Sequence, residues 1–220
     1  MKHSTDRILT THAGRLDGPP EYRQMMMAMM SGQKVDLEAA RPTIRNGIVD
    51  VLRKQAEAGI DIISDGELGK VGFGTVNYYG LRLSGLTSRK VKPGEPAFMA
   101  LETGERLEFA EFYKELPFMA TGTERTICSG QIKYIGQEEV RKDLELLRSA
   151  LAESGVKPEE TFMCVLAPGW LEHFFLNEYY ATDEEYIFAL ADAMKHEYKA
   201  IVDAGFILQI DDPALPIRTT

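Results

Sequence analysis

Two acidic runs, Asp65-Gly66-Glu67 and Asp211-Asp212-Pro213, stand where carboxylates could do chemistry. Each closes a β-rich stretch that follows an Ala-Gly pair, and in both the first Asp comes six residues after the glycine, Gly59 to Asp65 and Gly205 to Asp211. A carboxylate held at such a place can bind a substrate ammonium group or serve as general acid or base. Gly66 would let the backbone turn so that Glu67 faces inward; in the alternative, Asp65 caps a following helix and Glu67 is solvated. Asp211 and Asp212 are adjacent, so on a continuing strand they point to opposite sides and only one can face a common site. Pro213 prevents helix continuation and holds the turn, which favours an ordered, functional acid over a helix cap.

The remaining candidates are less specific. His12 could ligate a metal, donate a proton or bond to backbone in its own loop. Cys128 and Cys164 could make a zinc site with His12 or His173, since thiolate and imidazole are zinc's usual ligands. No paired spacing supports such a site, and buried cysteines are usually inert packing, so no metal ligand is assigned. Trp170, the single tryptophan, lies in Ala167-Pro168-Gly169-Trp170, where its ring can stack on a planar ligand or pack against the next helix. No catalytic residue is assigned.

The elements that must position these side chains alternate. Five β-rich runs begin at Ile8, Ile60, Thr126, Thr161 and Phe206. A helical pattern from Asp36 passes through Ile44, Ile48, Val51, Leu52 and Gln55 to Gly59, with Pro42 expected to break it or mark its proper start. A second has its apolar face on Val140, Leu144, Leu147 and Leu151, and a third follows the capping box Thr182-Asp183-Glu184-Glu185 along Ile187, Leu190, Met194, Tyr198 and Ile201. Met25, Met26, Met27, Met29 and Met30 fall in a further helix after Pro19-Pro20, where soft side chains fill core gaps or line an adaptable surface. Residues 85–123 break the pattern with turn-rich sequence and read as an inserted hairpin or lid after the second strand, or as a plain surface excursion.

Alternating strands and helices call for an α/β fold with a mostly parallel sheet. The Gly-rich loop of the dinucleotide folds follows none of the strands, which favours a (β/α)8 barrel over an open doubly wound sheet. A complete barrel has eight strands in roughly 250 residues. Five strands in residues 1–220 therefore read as the N-terminal part of a single TIM-type barrel, whether a fragment, a split subunit or a shortened variant. In such a barrel the residues just past the strand ends line one mouth, which selects His12, Asp65, Glu67, Cys128, Trp170, Asp211 and Asp212.

Composition narrows the partners. The net charge of −9 and the lack of a Lys/Arg cluster argue against nucleic acid. Two cysteines without a CxxC pair fit a reducing, cytoplasmic setting. Residues 1–7 are polar, and no apolar run approaches the roughly 18 residues of a membrane span.

Taken together, Thr10-Thr11-His12-Ala13-Gly14, Asp65-Gly66-Glu67, Ala167-Pro168-Gly169 and, most specifically, Gln209-Ile210-Asp211-Asp212-Pro213-Ala214-Leu215 resemble the cobalamin-independent methionine synthases, especially their short single-barrel relatives. The resemblance implies a βα barrel that transfers a methyl group from a folate to the zinc-bound thiolate of homocysteine. Zinc would keep the thiol deprotonated yet nucleophilic. By the family pattern, Glu67 and Asp211 hold the substrate amino group, and Trp170 lies near an aromatic that contacts the pterin.

Two departures qualify it. Where the family commonly has Gly-Ser and then Pro, this sequence has Gly14-Arg15-Leu16-Asp17, so a serine that helps hold the substrate gives way to a cation. Arg15 could instead meet a carboxylate, sulfonate or phosphate. The family's zinc ligands, a His-x-Cys pair and further ligands, are expected on later strands beyond Thr220. The resulting expectation is a thiol methyltransferase lacking its zinc ligands, with a small thiol, a folate donor, and either a complementing C-terminal half or a second copy as partners. The competing readings are carbon–sulfur chemistry on another anionic thiol held by Arg15, and an inactive barrel serving as subunit or scaffold.

Overall fold

The protein is represented by a computed structural model, which describes residues 1–31, 33–71, 75–92, 108–114 and 124–213. It is an α/β fold with two small sheets, and its contacts divide into two compact units. The first comprises Met1–Tyr79, Gly136–Val165 and His196–Asp211; the second comprises Gly80–Ile135, Leu166–Lys195 and the segment from Asp212.

In the first unit, helix α1 (Pro20–Met30) starts with proline at its first position, where the missing N–H is no loss. Its buried anchor is Tyr22, while Met27 is exposed and Met25, Met26 and Met29 are half-buried. The methionines therefore do not fill the core at those positions. Helix α2 (Leu37–Glu57) is capped by Asp36, whose side chain accepts from the N–H groups of Glu38 and Ala39. Pro42 lies inside it without ending it. So close to a capped start, the proline removes one ladder bond from a helix of 21 residues.

Strand β1 (Ile62–Ser64) runs parallel to strand β4 (Glu160–Leu166), with Ile62 opposite Glu160 and Ser64 opposite Phe162. Strand β6 (Ile207–Asp211) lies on the far side of β4, giving the order β1-β4-β6. Phe162, Met163, Cys164 and Val165 are all buried, as expected for a central strand covered on both faces. Helix α5 (Gln137–Ser154) packs against α2 through Val140, Leu144, Leu147 and Ala150, with Ala150 taking the buried position expected for Leu151. Gly59, with φ +76°, ends α2, and Gly205, with φ +85°, follows helix α7 (Asp183–Asp203). The capping box forms as well: Thr182 Oγ1 accepts from Glu185 N, and Glu185 Oε2 accepts from Ala181 N.

Residues 8–11 are not the regular strand expected of them. They make a single parallel bridge, Thr11 to Ile62, and Ile8 is exposed. The reason is Asp61. Its carboxylate accepts from Thr10 N at 2.8 Å and from Thr10 Oγ1 at 3.1 Å and pairs with Arg7, while the N–H groups of Asp61 and Ile62 converge on Thr10 O. Side-chain bonds thus take the place of a ladder. The Arg7 guanidinium and these donors also hold the Asp61 carboxyl well below the usual carboxylate range.

The second unit contains strands β2 (Leu86–Lys90), β3 (Glu124–Cys128) and β5 (Leu176–Asn177), in the order β2-β3-β5. Strand β3 pairs antiparallel with β2, Leu86 opposite Cys128, and parallel with β5. The run beginning at Thr126 is therefore not a member of the parallel sheet; the polar segment Leu86–Lys90, read as part of an insertion, supplies its edge. Of that insertion, residues 93–107 and 115–123 lie outside the described residues, and helix α4 (Ala110–Lys114) is the other described element besides β2. Helix α3 (Thr75–Gly80) ends the first unit, and helix α6 (Pro168–Phe174) belongs to the second. No described helix is long and apolar enough to cross a membrane.

Candidate functional site

Residues 64–70 form a tight turn at the end of β1, and the turn is held from every side. Ser64 Oγ accepts from Gly66 N at 3.1 Å, and Asp65 Oδ1 accepts from Glu67 N at 3.0 Å. Gly66 has φ +63° and Glu67 φ +60°, and Glu67 is the only non-glycine residue with positive φ among those described. An L-residue with a long side chain avoids this region, so the turn persists because its surroundings fix it. Leu16 N donates to Gly66 O at 3.0 Å, Tyr22 Oη to Leu68 O at 2.9 Å, and Arg15 Nη2 to Glu67 O at 3.2 Å and Lys70 O at 2.5 Å. Behind the strand, the buried Gln55 amide donates to Ser64 O at 2.8 Å and accepts from Ser64 N at 3.1 Å. Strain concentrated at one buried acid is a common signature of a functional position.

The turn delivers Glu67 to Cys164 of β4 and Asp211 at the end of β6. Their ligand atoms all lie within 4.8 Å of one another, with Glu67 and Cys164 buried and Asp211 half-buried. The sequence motifs bring Glu67 and Asp211 forward; Cys164 joins them because it is in β4, which lies between β1 and β6 in the sheet order. Lys70 completes the group and was not singled out in the sequence. Its Nζ donates to Cys164 O at 2.6 Å and to Cys164 Sγ at 2.9 Å, and lies 4.0 Å from Glu67 Oε2. Tyr79 donates to the same Cys164 carbonyl at 3.3 Å, and its ring centroid is 5.8 Å from Nζ.

Electrostatics follow from this burial. Desolvation works against the Lys70 ammonium, but Tyr79, Cys164, Asp65 and Glu67 outweigh it and leave the side chain above an ordinary lysine, hence charged. Burial pushes the Asp65 carboxyl up, opposed by Lys70. Burial also pushes the Cys164 thiol up to about 12, again against the pull of Lys70, so the thiol is protonated at neutral pH.

The other expected site residues are placed as follows. His12 is half-buried and its Nε2 pairs with Gly14 O at 3.0 Å, within its own loop. Arg15 uses Nη2 on the two carbonyls already named. Trp170 belongs to the second unit, half-buried, with its ring edge-on to Phe174 at 5.2 Å and to His173 at 5.9 Å. Cys128 and His173 are also there, and no Cys–His ligand group occurs among the described residues. Asp212 falls in the second unit, 3.4 Å from where a Cβ on Gly169 would stand, so the neighbouring acids serve different surroundings.

No protein-family model matches the chain. It is 25% identical over 210 residues to the methionine synthase of Sulfolobus acidocaldarius, covering 95% of this chain and 52% of that protein. With the methionine synthase of Saccharolobus solfataricus the identity is 24%, covering 95% and 54%. Its homologues are methionine synthases. The chain spans about half the length of these curated relatives. In fold it resembles the B12-independent methionine synthase of Shewanella sp. W3-18-1, solved with selenomethionine, at a TM-score of 0.60 and 19% identity, over 93% of this chain and 51% of that one.

The zinc that the resemblance implies does not fit the Glu67–Cys164–Asp211 group. A cysteine that ligates zinc does so as the thiolate, whereas burial favours the protonated Cys164 thiol and an ammonium already donates to its sulfur at 2.9 Å, where a second cation would meet the Lys70 charge. The local cation is Lys70.

Proposed function

We propose that this chain supplies the amino-acid-binding part of a thiol methyltransferase of the methionine synthase type, with the first sheet as an arc of a βα barrel. The observation that carries the reading is the convergence of Glu67 and Asp211, from the ends of β1 and β6, on one small cluster. Two carboxylates so placed suit a substrate ammonium, which would donate to both. The homologues' name and the selenomethionine held by the Shewanella neighbour support an amino acid carrying sulfur or selenium. The sheet order β1-β4-β6, with Thr11 bridged to β1, supports the barrel arc.

In this reading the acids bind and orient the amino acid, and the overdetermined turn keeps the Glu67 carboxylate fixed before the substrate arrives. The methyl group would pass from a folate donor to the substrate sulfur. The groups that activate that sulfur would belong to the half of the relatives' length that this chain does not span. A cytoplasmic setting accords with the two reduced, buried cysteines. Arg15 bears on the alternative chemistry with an anionic thiol: two carbonyls of the turn occupy its Nη2, which favours a clamping role.

The test is calorimetric titration of the chain with L-methionine. Each of Glu67→Gln and Asp211→Asn removes a charged acceptor, so each should weaken binding by about 10–100-fold, the equivalent of roughly 1.5–3 kcal/mol, with the circular dichroism unchanged. If the wild-type chain binds neither methionine nor homocysteine, or both variants bind as it does, the reading fails.

A further inference from the structure

Lys70 is placed for a role that neither the acids nor the turn accounts for. It is buried, with 5% of its side chain exposed, and it is charged. An ammonium has three protons. Two go to Cys164, to its carbonyl at 2.6 Å and its sulfur at 2.9 Å. The third has no acceptor at hydrogen-bond distance among the described residues, because the nearest carboxylate oxygen, Glu67 Oε2, is 4.0 Å away. A direct lysine–carboxylate bond would close to about 2.8 Å. The two are thus apart: Lys70 is drawn to Cys164 of β4 and would give up those bonds in closing on Glu67, whose side chain extends from a left-handed turn.

We propose that Lys70 is a specificity-determining residue that receives the carboxylate of the same ligand whose ammonium is held by Glu67 and Asp211, so that the cluster selects a zwitterionic α-amino acid over a simple amine. This rests on the amino-acid reading above. In an α-amino acid the two charges are one carbon apart, a separation that matches an ammonium beside Glu67 and a carboxylate beside Nζ, given the 4.0 Å between those protein atoms. Two acids, one buried and one half-buried, without a counter-charge would attract any amine. The fixed ammonium attracts the carboxylate and repels a second uncompensated cation, which gives discrimination by both attraction and repulsion. Burial of both groups lowers the local dielectric and strengthens each effect.

The experiment compares L-methionine with its decarboxylated amine, methylthiopropylamine, by calorimetry on the wild-type chain, on Lys70→Gln and on Lys70→Arg. The expected result is that the wild type prefers methionine by at least about tenfold, that the preference collapses to about one in Lys70→Gln, and that Lys70→Arg keeps most of it. Should Lys70→Gln not fold, Lys70→Met, which keeps the aliphatic stem, takes its place. A wild-type ratio near one, or a preference that survives in folded Lys70→Gln, overturns the inference and leaves the amino-acid reading standing. Failure of the wild type to bind either compound refutes that reading and this inference with it.

Discussion

Replacing Gly66 by alanine should cost stability in proportion to two separable effects, and the structure provides a control for one of them. Gly66 has φ +63°, so any Cβ there carries the left-handed penalty of about 1–2 kcal/mol. The Cβ would also stand 2.9 Å from Leu16 Cβ, 3.1 Å from Leu16 Cδ1 and 3.2 Å from Leu68 Cδ1. Leu16 cannot simply withdraw, since its N–H donates to the Gly66 carbonyl at 3.0 Å. Overpacking against such a neighbour adds about 1–3 kcal/mol. Gly59 has φ +76° with nothing within 4 Å of its added Cβ, so Gly59→Ala carries the conformational penalty alone. The total expected is about 2–5 kcal/mol for Gly66→Ala against about 1–2 kcal/mol for Gly59→Ala. Urea unfolding followed by circular dichroism measures both. The clamped turn also carries Glu67, so in the proposed amino-acid reading methionine binding should weaken in Gly66→Ala and not in Gly59→Ala. Equal destabilisation by the two substitutions would refute the reasoning, because it would mean that the loop carrying Leu16 does not clamp the turn.

Two further outcomes are expected. Gln55→Leu keeps the volume but leaves the buried N–H and C=O of Ser64 without their side-chain partner, and should cost about 2–4 kcal/mol in urea unfolding; an unchanged midpoint would show that the amide contributes nothing. The Cys164 thiol, at about 12 in the fold against an ordinary 9.0, keeps its proton in the native state where the unfolded chain loses it. Its contribution is therefore complete below pH 9.0 and declines as pH rises toward 12, and Cys164→Ala should flatten the fall in stability over that window. A wild-type curve no steeper than that of the variant would contradict the assignment.

Much of this arrangement is legible in the residues, and the rest is hidden for physical reasons. The two Gly-to-Asp intervals locate β1 and β6 because a left-handed helix end followed by a β-branched run is a local signal. Asp211 is the last residue of β6 and Asp212 lies past the strand end, so alternation along a strand does not by itself decide which acid joins Glu67. Strand partnership is different: the run at Thr126 reads as a strand, but nothing in its own composition tells a parallel neighbour from the antiparallel edge that Leu86–Lys90 provides. Residues 8–11 have the composition of a strand yet pair through the Asp61 side chain, a choice made by a residue fifty positions away. Gln55 sits on the apolar face of α2 and looks like an interruption until Ser64 appears beside it.

Lys70 is the most instructive omission. Motifs direct attention to acids, and a lysine three residues after Glu67 reads as a solvated neighbour, since Lys is almost never fully buried unless paired. Its partners are a carbonyl and a thiol of β4, which sequence cannot bring near it. Yet those contacts bear on what the site can hold: Lys70 places a fixed cation beside Glu67, which works against a second, uncompensated cation there. Glu67, Asp211 and Lys70 together leave an excess of one negative charge, and in the proposed reading a ligand's ammonium answers the acids while its carboxylate answers Lys70, a pairing that neither acidic motif announces alone.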